Sequence, residues 1–443
     1  MVFCLAFAQL AGLQWHSSIT ITLYSGLFVW VALLAWRQRI SWVRFGVIDA
    51  LFGVFVLWVL ASLLVRGGTE QVTWKYGSYL PFLAILPYAC GRLIRMKDMQ
   101  MFFKVVVLAS TVMLALLVID YWQHLASLEI YSRWPFFGHN YSLLPIAMLL
   151  AAALIIGSAF FLTGPGKSLK DLSLPQRVSL ALLGLLAAAL VTVAARGVLL
   201  AGVLGTICML FVVQNWSRSR KFQFLLYLAL VMSAAYLLLP KPQAQVYVDL
   251  MTLPEILKEP GHYARVRGAG NQVWDAATKA WVPNIRSSVP ILGPDSCYAI
   301  DQGVNSLAIR RTLYQEAGVM FLHNPVWGVG AASFGRYSCA DELGFPHSTI
   351  LQSFAELGFV GGLLYCGLLI IALFSLIRQA FNDVSKTSNA VAQLTLSLYV
   401  MYLLTDQLYG NYFMAVGSYF LIGVAASMRT NPAWNEAPEP GNV

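Results

Sequence analysis

Apolar stretches of about 20 residues recur along this chain, and no other feature restricts its fold as much, because a helix needs roughly that length to cross the hydrocarbon layer of a membrane. Such runs lie near residues 18–36, 47–65, 77–91, 101–120, 139–162, 178–195, 197–213, 222–240, 349–377, 391–408 and 411–427. A shorter run, 2–14, is a twelfth candidate. It opens with Met1-Val2-Phe3-Cys4, has no basic leading segment, and is followed by no small-residue cleavage site, so it reads as a span rather than a removable signal. The runs are continuously apolar instead of alternating, which favours helices over barrel strands. With 58% hydrophobic and 11% charged residues, the chain lies outside the range of soluble domains. The expected fold is an all-α polytopic membrane protein of about 12 transmembrane helices. Its expected parts are N-terminal spans over 1–240, a long outer loop with short helices over 241–347, C-terminal spans over 348–428 and a tail over 429–443.

Basic residues set the orientation, since Lys and Arg accumulate in short cytoplasmic loops. With both ends inside, sixteen fall on the cytoplasmic side, among them Arg92, Arg95, Lys97, Arg218, Arg378 and Arg429, while Arg66, Lys75, Arg133 and Arg196 are the four in short outer connections. The long insertion then lies outside. It carries nine basic and nine acidic residues, so the formal charge of +9 is a topogenic signal and a contact with anionic headgroups of the membrane lipids. That distribution gives no case for nucleic-acid binding. Cys4, Cys90, Cys208 and Cys366 lie in apolar runs, whereas Cys297 and Cys339 sit in the insertion, where an oxidising outside would pair them.

Within the insertion the pattern predicts a helix from about Gln243 to Leu257, irregular chain to Gly303, a helix from about Val304 to Leu322, then loop. Leu307, Tyr314, Ala317 and Phe321 give the second helix an apolar face to lay on the membrane domain. Gly328-Val329-Gly330 follows a helix and lacks a third glycine, so it reads as a turn rather than a dinucleotide fingerprint. The sequence holds no phosphate-cradling loop, no His or Cys at metal-ligand spacing and no Asp-x-Asp pair.

Polar groups gathered at the outer ends of the spans carry what chemistry the chain offers. Arg196 sits in a connection too short and apolar for a solvated loop, which points to an inward-facing anion ligand rather than a snorkelling side chain. Arg265, Arg267, Arg310 and Arg311 are singly ordinary loop arginines but together suit a diphosphate. Arg66 and Arg133 read as membrane-edge charges, and Asp120, Asp406, His124 and His139 as membrane-edge polarity. His347 follows Pro346 and precedes Ser348-Thr349, a capping pattern for the span that begins there. A helix N-terminus disfavours the imidazolium, so His347 reads as a neutral general base, against the alternative of a hydrogen-bonded interfacial histidine. Glu356, deeper on the face of Thr349 and Gln352, is either functional or the structural partner of a buried arginine.

The stretch from Arg310 to Gly362 resembles the O-antigen ligase and polymerase group of bacterial envelope glycan enzymes. Arg310, Tyr314, Ala317, Pro325, Gly328, Gly330, His347, Glu356 and Gly358 stand in the order of that group's loop and following span, and Arg196-Gly197 is similar to its arginine-glycine pair on an earlier span. Ser348 replaces the group's more usual asparagine, and Tyr314 replaces a tryptophan. The resemblance implies transfer of a finished glycan from undecaprenyl diphosphate onto lipid A core, on the periplasmic face of the bacterial inner membrane. It implies His347 as base, Arg196, Arg310 and Arg265 on the diphosphate, inversion at the sugar, and neither metal nor nucleotide cofactor. One late outer loop looks more like the ligase than the polymerase, which uses a second lipid-linked glycan as acceptor. A protein-directed oligosaccharyltransferase lacks support without a large C-terminal region. A lipid or anion transporter would more often show paired halves with broken helices.

Overall fold

In the computed structural model of this protein the described residues are 45–66, 77, 79–124, 133–136, 139–163, 172–193, 195–213, 218–239, 272–275, 280–283, 306–338, 345–381, 386–413 and 415–430. Ten of the apolar runs are helices there: α1 Val47–Arg66, α2 Leu80–Leu93, α3 Met96–His124, α4 Leu143–Thr163, α5 Leu174–Thr192, α6 Arg196–Val212, α7 Arg218–Leu237, α10 Thr349–Ala380, α11 Lys386–Tyr409 and α12 Val416–Thr430. Between α7 and α10, α8 spans Ser306–His323 and the short α9 Phe334–Tyr337. Among the described residues α1, α5, α10 and most of α3 and α4 are five helices long and apolar enough to cross a membrane, with α2 and α6 apolar but shorter. The other three fall short of that group because α7 opens on a basic cluster, α11 carries Ser, Thr, Gln and Asp, and α12 has 15 residues. Runs 2–14 and 18–36, the Gln243–Leu257 helix, Arg265, Arg267, Cys297 and Cys339 lie outside the described residues.

Outward-facing Leu57, Leu64, Val118, Phe211 and Phe374 are exposed, as a lipid-facing surface requires. Several buried hydroxyls are satisfied by helix carbonyls: Ser110 Oγ donates to the Val106 carbonyl at 2.7 Å and Tyr399 Oη to that of Leu369 at 2.9 Å. α2 starts as a π-turn, in which the Leu86 amide reaches back to Pro81, because Pro87 has no N–H to continue the ordinary ladder.

Contacts between helices sort their ends into two groups. α6 runs antiparallel to α11, with Gly197 beside Tyr409 and Gly205 beside Ser397 and Met401. α1 runs antiparallel to α10, where Phe55 meets Tyr365 and Trp58 meets Leu357. The C-termini of α1 and α11 therefore share one end with the N-termini of α6 and α10. The far end holds the Asp49 carboxylate, bonded by Arg92 at 2.9 Å and Tyr88 at 2.6 Å. The charge count assigns Arg66 and Arg196 to the outside and Arg92 to the cytoplasm, so helix packing and charge sort these residues alike.

Three local expectations are corrected. Two antiparallel hairpins, β1 Arg133–Phe136 with β2 His139–Ser142 and β3 Gln272–Asp275 with β4 Ala280–Pro283, interrupt an otherwise helical fold. His139 thus begins a strand, and α4 starts only at Leu143. In α8 the buried face is Leu313, Ala317 and Met320, packed on Val329, Phe334 and Ala355, so the apolar stripe lies about one position from that of Tyr314 and Phe321. The α10 run is interrupted rather than continuous, breaking at Gly358, where φ is 68° and ψ is −166°.

Candidate functional site

A broken helix must find new partners for the carbonyls and amides at the break. The turn after α8 supplies them. The Val329 and Gly330 amides donate to the Ala355 and Glu356 carbonyls at 2.9 Å each, and the Phe359 amide donates to the Pro325 carbonyl at 2.6 Å. The Leu357 carbonyl accepts from the Trp58 indole at 3.1 Å, and the Trp58 ring stacks on Trp327 with centroids 5.0 Å apart. Residues 324–330 are therefore stitched to the gap in α10. Arg66 belongs to this seam and is more than a membrane-edge charge: its Nη1 donates to the Gly328 carbonyl at 3.2 Å.

Glu356 holds the next residues of the loop. One carboxylate oxygen accepts from the Ala332 amide at 3.0 Å, Tyr412 Oη at 2.7 Å and Gln352 Nε2 at 3.3 Å, and the other from the Phe334 amide at 3.0 Å. Of the two roles open to it in the sequence, the structure gives it a structural one, with backbone amides as partners where an arginine was expected. Ala332, at φ 58°, is held in the left-handed region. Asp406 too is buried rather than at a membrane edge, accepting from Ser418 Oγ.

Ser348 caps α10, its hydroxyl accepting from the Leu351 amide at 3.3 Å, which is worth about 1 kcal/mol at such a position. Gln407 of α11 supplements the cap: its Oε1 accepts from Ser348 Oγ at 3.0 Å and the Ile350 amide at 3.2 Å, and its Nε2 donates to Thr349 Oγ1 at 2.7 Å. His347, immediately before the cap, is forced to φ 57°. A left-handed non-glycine costs about 1–3 kcal/mol, and such strain persists where the surroundings fix a side chain in place.

The imidazole of His347 is half-buried and hydrogen-bonds the Tyr409 backbone, while Nδ1 is buried with no partner. Burial first and the Arg310 guanidinium second push the imidazole down to about 4, against the opposing bond to the Tyr409 backbone. Desolvation and a neighbouring cation thus hold the ring neutral, where the sequence pointed to the helix terminus.

Arg310, on α8, places its guanidinium carbon 4.7 Å from the Tyr409 ring centroid. Arg196 is the first residue of α6, and the amide of the next residue, Gly197, donates to Tyr409 Oη at 3.0 Å. The pairing of Arg196 with glycine has a steric cause, since a Cβ at position 197 would lie 2.5 Å from the Tyr409 ring. Three of the four site residues expected from the sequence, His347, Arg310 and Arg196, are thus brought together around Tyr409. Tyr409 and Gln407 were missed, because at the end of a span they look like an interfacial aromatic and an ordinary polar residue.

Comparison with known proteins adds two findings. No curated protein matches the chain by sequence. A solved structure titled "Structural coordination of polymerization and crosslinking by a peptidoglycan synthase complex" aligns over 86% of this chain and 96% of its own, at 13% identity and a TM-score of 0.46. The family model described as O-antigen ligase matches residues 181–366, which include Arg196, Arg310, the stitched loop, His347 and Glu356. Over residues 181–366 this multi-pass membrane protein is similar to the O-antigen ligase family.

Proposed function

We propose that this protein is an O-antigen ligase: a glycosyltransferase of the bacterial inner membrane that moves a glycan from undecaprenyl diphosphate onto a sugar of the lipid A core, on the periplasmic side. The observation that carries this reading is the half-buried, neutral imidazole of His347 lying within the field of the Arg310 guanidinium. A base needs an available lone pair, and a departing diphosphate needs a fixed cation.

The acceptor hydroxyl oxygen attacks the anomeric carbon as the bond from that carbon to the diphosphate oxygen breaks. The hydroxyl proton passes to the His347 imidazole, and undecaprenyl diphosphate leaves with the bonding electrons. Arg310 and Arg196 meet the growing negative charge, with the positive end of the α6 dipole beside them. Arg265 is a third candidate for the diphosphate. A single in-line displacement inverts the anomeric configuration, and the leaving group supplies the chemical drive, so the reaction calls for neither nucleotide nor metal.

The test is transfer by purified protein in vesicles, with undecaprenyl-diphosphate glycan and lipid A core, excess EDTA and no nucleotide. Glycosylated core of inverted linkage is the expected product. Chain extension on a second lipid-linked glycan, with lipid A core untouched, would identify a polymerase instead. No transfer to either acceptor would overturn the glycosyltransferase reading.

A further inference from the structure

Helix ends leave backbone groups without intrahelical partners, and two such ends meet at Tyr409. α11 stops there: Gly410 makes its closing bond to Asp406, and the Phe413 amide, four residues beyond Tyr409, turns to Asn411 Oδ1 at 2.9 Å. The Tyr409 carbonyl is therefore available to the His347 ring, which takes it. α6 starts alongside, and Ala195 offers it no side-chain cap. The Tyr409 hydroxyl accepts from the Gly197 amide instead, one residue past Arg196. Between carbonyl and hydroxyl lies the ring face that Arg310 covers at 4.7 Å.

We propose that Tyr409 is a positioning residue of this site: its ring aims Arg310 beside His347, and its hydroxyl fixes the start of α6 that carries Arg196. The proposal rests on the transferase reading above. One residue thereby sets base and cations in a common frame. The charged and titratable residues recorded as acting on His347 are Arg310 on α8 and, through its backbone, Tyr409 on α11.

Two variants separate the two parts. Tyr409→Phe keeps the ring and the carbonyl and removes only the bond to Gly197. It is expected to raise KM for the lipid-linked donor by about ten-fold, the loss of about one hydrogen bond to an anion-binding element, with kcat and the pH profile nearly unchanged. Tyr409→Leu also removes the ring beneath Arg310. It is expected to lower kcat/KM by about a hundred-fold and to move the acid limb of the pH profile upward, because a displaced guanidinium no longer holds the imidazole neutral. A purely structural role would lower the amount of folded protein without moving that limb. Wild-type KM in the first variant together with a wild-type limb in the second would overturn the proposal.

If the leucine variant fails to fold, donor binding by Tyr409→Phe still decides the matter: affinity equal to that of wild type would overturn the proposal without touching the transferase reading. That reading stands or falls separately, on whether wild-type protein transfers glycan at all.

Discussion

Gly328 and Gly358 stand back to back at the break in α10, each at φ 68°, with no room for a side chain on either. A Cβ on Gly358 would lie 2.6 Å from the Gly328 nitrogen, and one on Gly328 would lie 2.5 Å from the Gly358 nitrogen. Backbone is the obstacle in both directions, so a rotamer change gives no relief. The loop that leads to His347 is attached to the membrane helices at this contact.

Gly358→Ala is therefore expected to weaken both helix and loop. Left-handed strain alone costs about 1–3 kcal/mol, and the backbone clash adds to it. Thermal unfolding in detergent should show a lower midpoint, and limited proteolysis should cut faster between Asn324 and Phe334. An unchanged midpoint and cleavage rate would mean that the loop is not held at this seam.

Glu356→Ala should destabilise the protein more than a typical substitution, because it leaves the Ala332 and Phe334 amides and Tyr412 Oη without their acceptor, at about 1–3 kcal/mol for each buried group left unmet. Glu356→Gln keeps one acceptor oxygen but turns an NH2 toward a donor, so it should fall between the wild type and Glu356→Ala. Unfolding midpoints in that order are expected. Equal stability of all three proteins would contradict the anchoring role.

The layout of the membrane helices was legible because about 20 apolar residues in a row have few alternatives to a span. His347, Arg196 and Arg310 were legible for the complementary reason that charge and imidazole at span ends are costly and conspicuous. Glu356 stood out equally, but its partners are backbone amides of a distant loop, and an amide has no sequence identity. Tyr409 was hidden because its hydroxyl, ring and carbonyl matter only through a neighbour each, on α6, α8 and before α10. The stacking of Trp58 on Trp327 likewise joins the first described span to the loop after α8, and no local pattern encodes that distance.

A base must be deprotonated to work, so rate falls as pH drops through its pKa. For free protein, kcat/KM should fall with acid only near pH 4, where burial and Arg310 have pushed His347. Bound diphosphate offsets Arg310, so the limb in kcat should lie higher, toward the ordinary imidazole range near about 6.5. Both limbs come from initial rates between pH 3.5 and 8. A kcat/KM limb above that of kcat would reverse the expected order and contradict the role of Arg310.

Lysine keeps a charge but loses the flat two-pronged donor, so Arg310→Lys and Arg196→Lys should each weaken donor binding by about ten-fold or more. Binding of a fluorescent undecaprenyl-diphosphate analogue provides the measure. Unchanged affinity in both variants would make them surface charges with no part in holding the diphosphate.

The central claim is that His347 is the base in glycosyl transfer, and the most direct measurement is single-turnover transfer from undecaprenyl-diphosphate glycan to lipid A core by wild-type protein and by His347→Ala, matched for folded protein in vesicles. The expected result is product from wild type and a loss of about 10²–10⁴-fold in the variant, the contribution of a positioned general base, with donor binding retained. Transfer by His347→Ala at the wild-type rate would contradict the account.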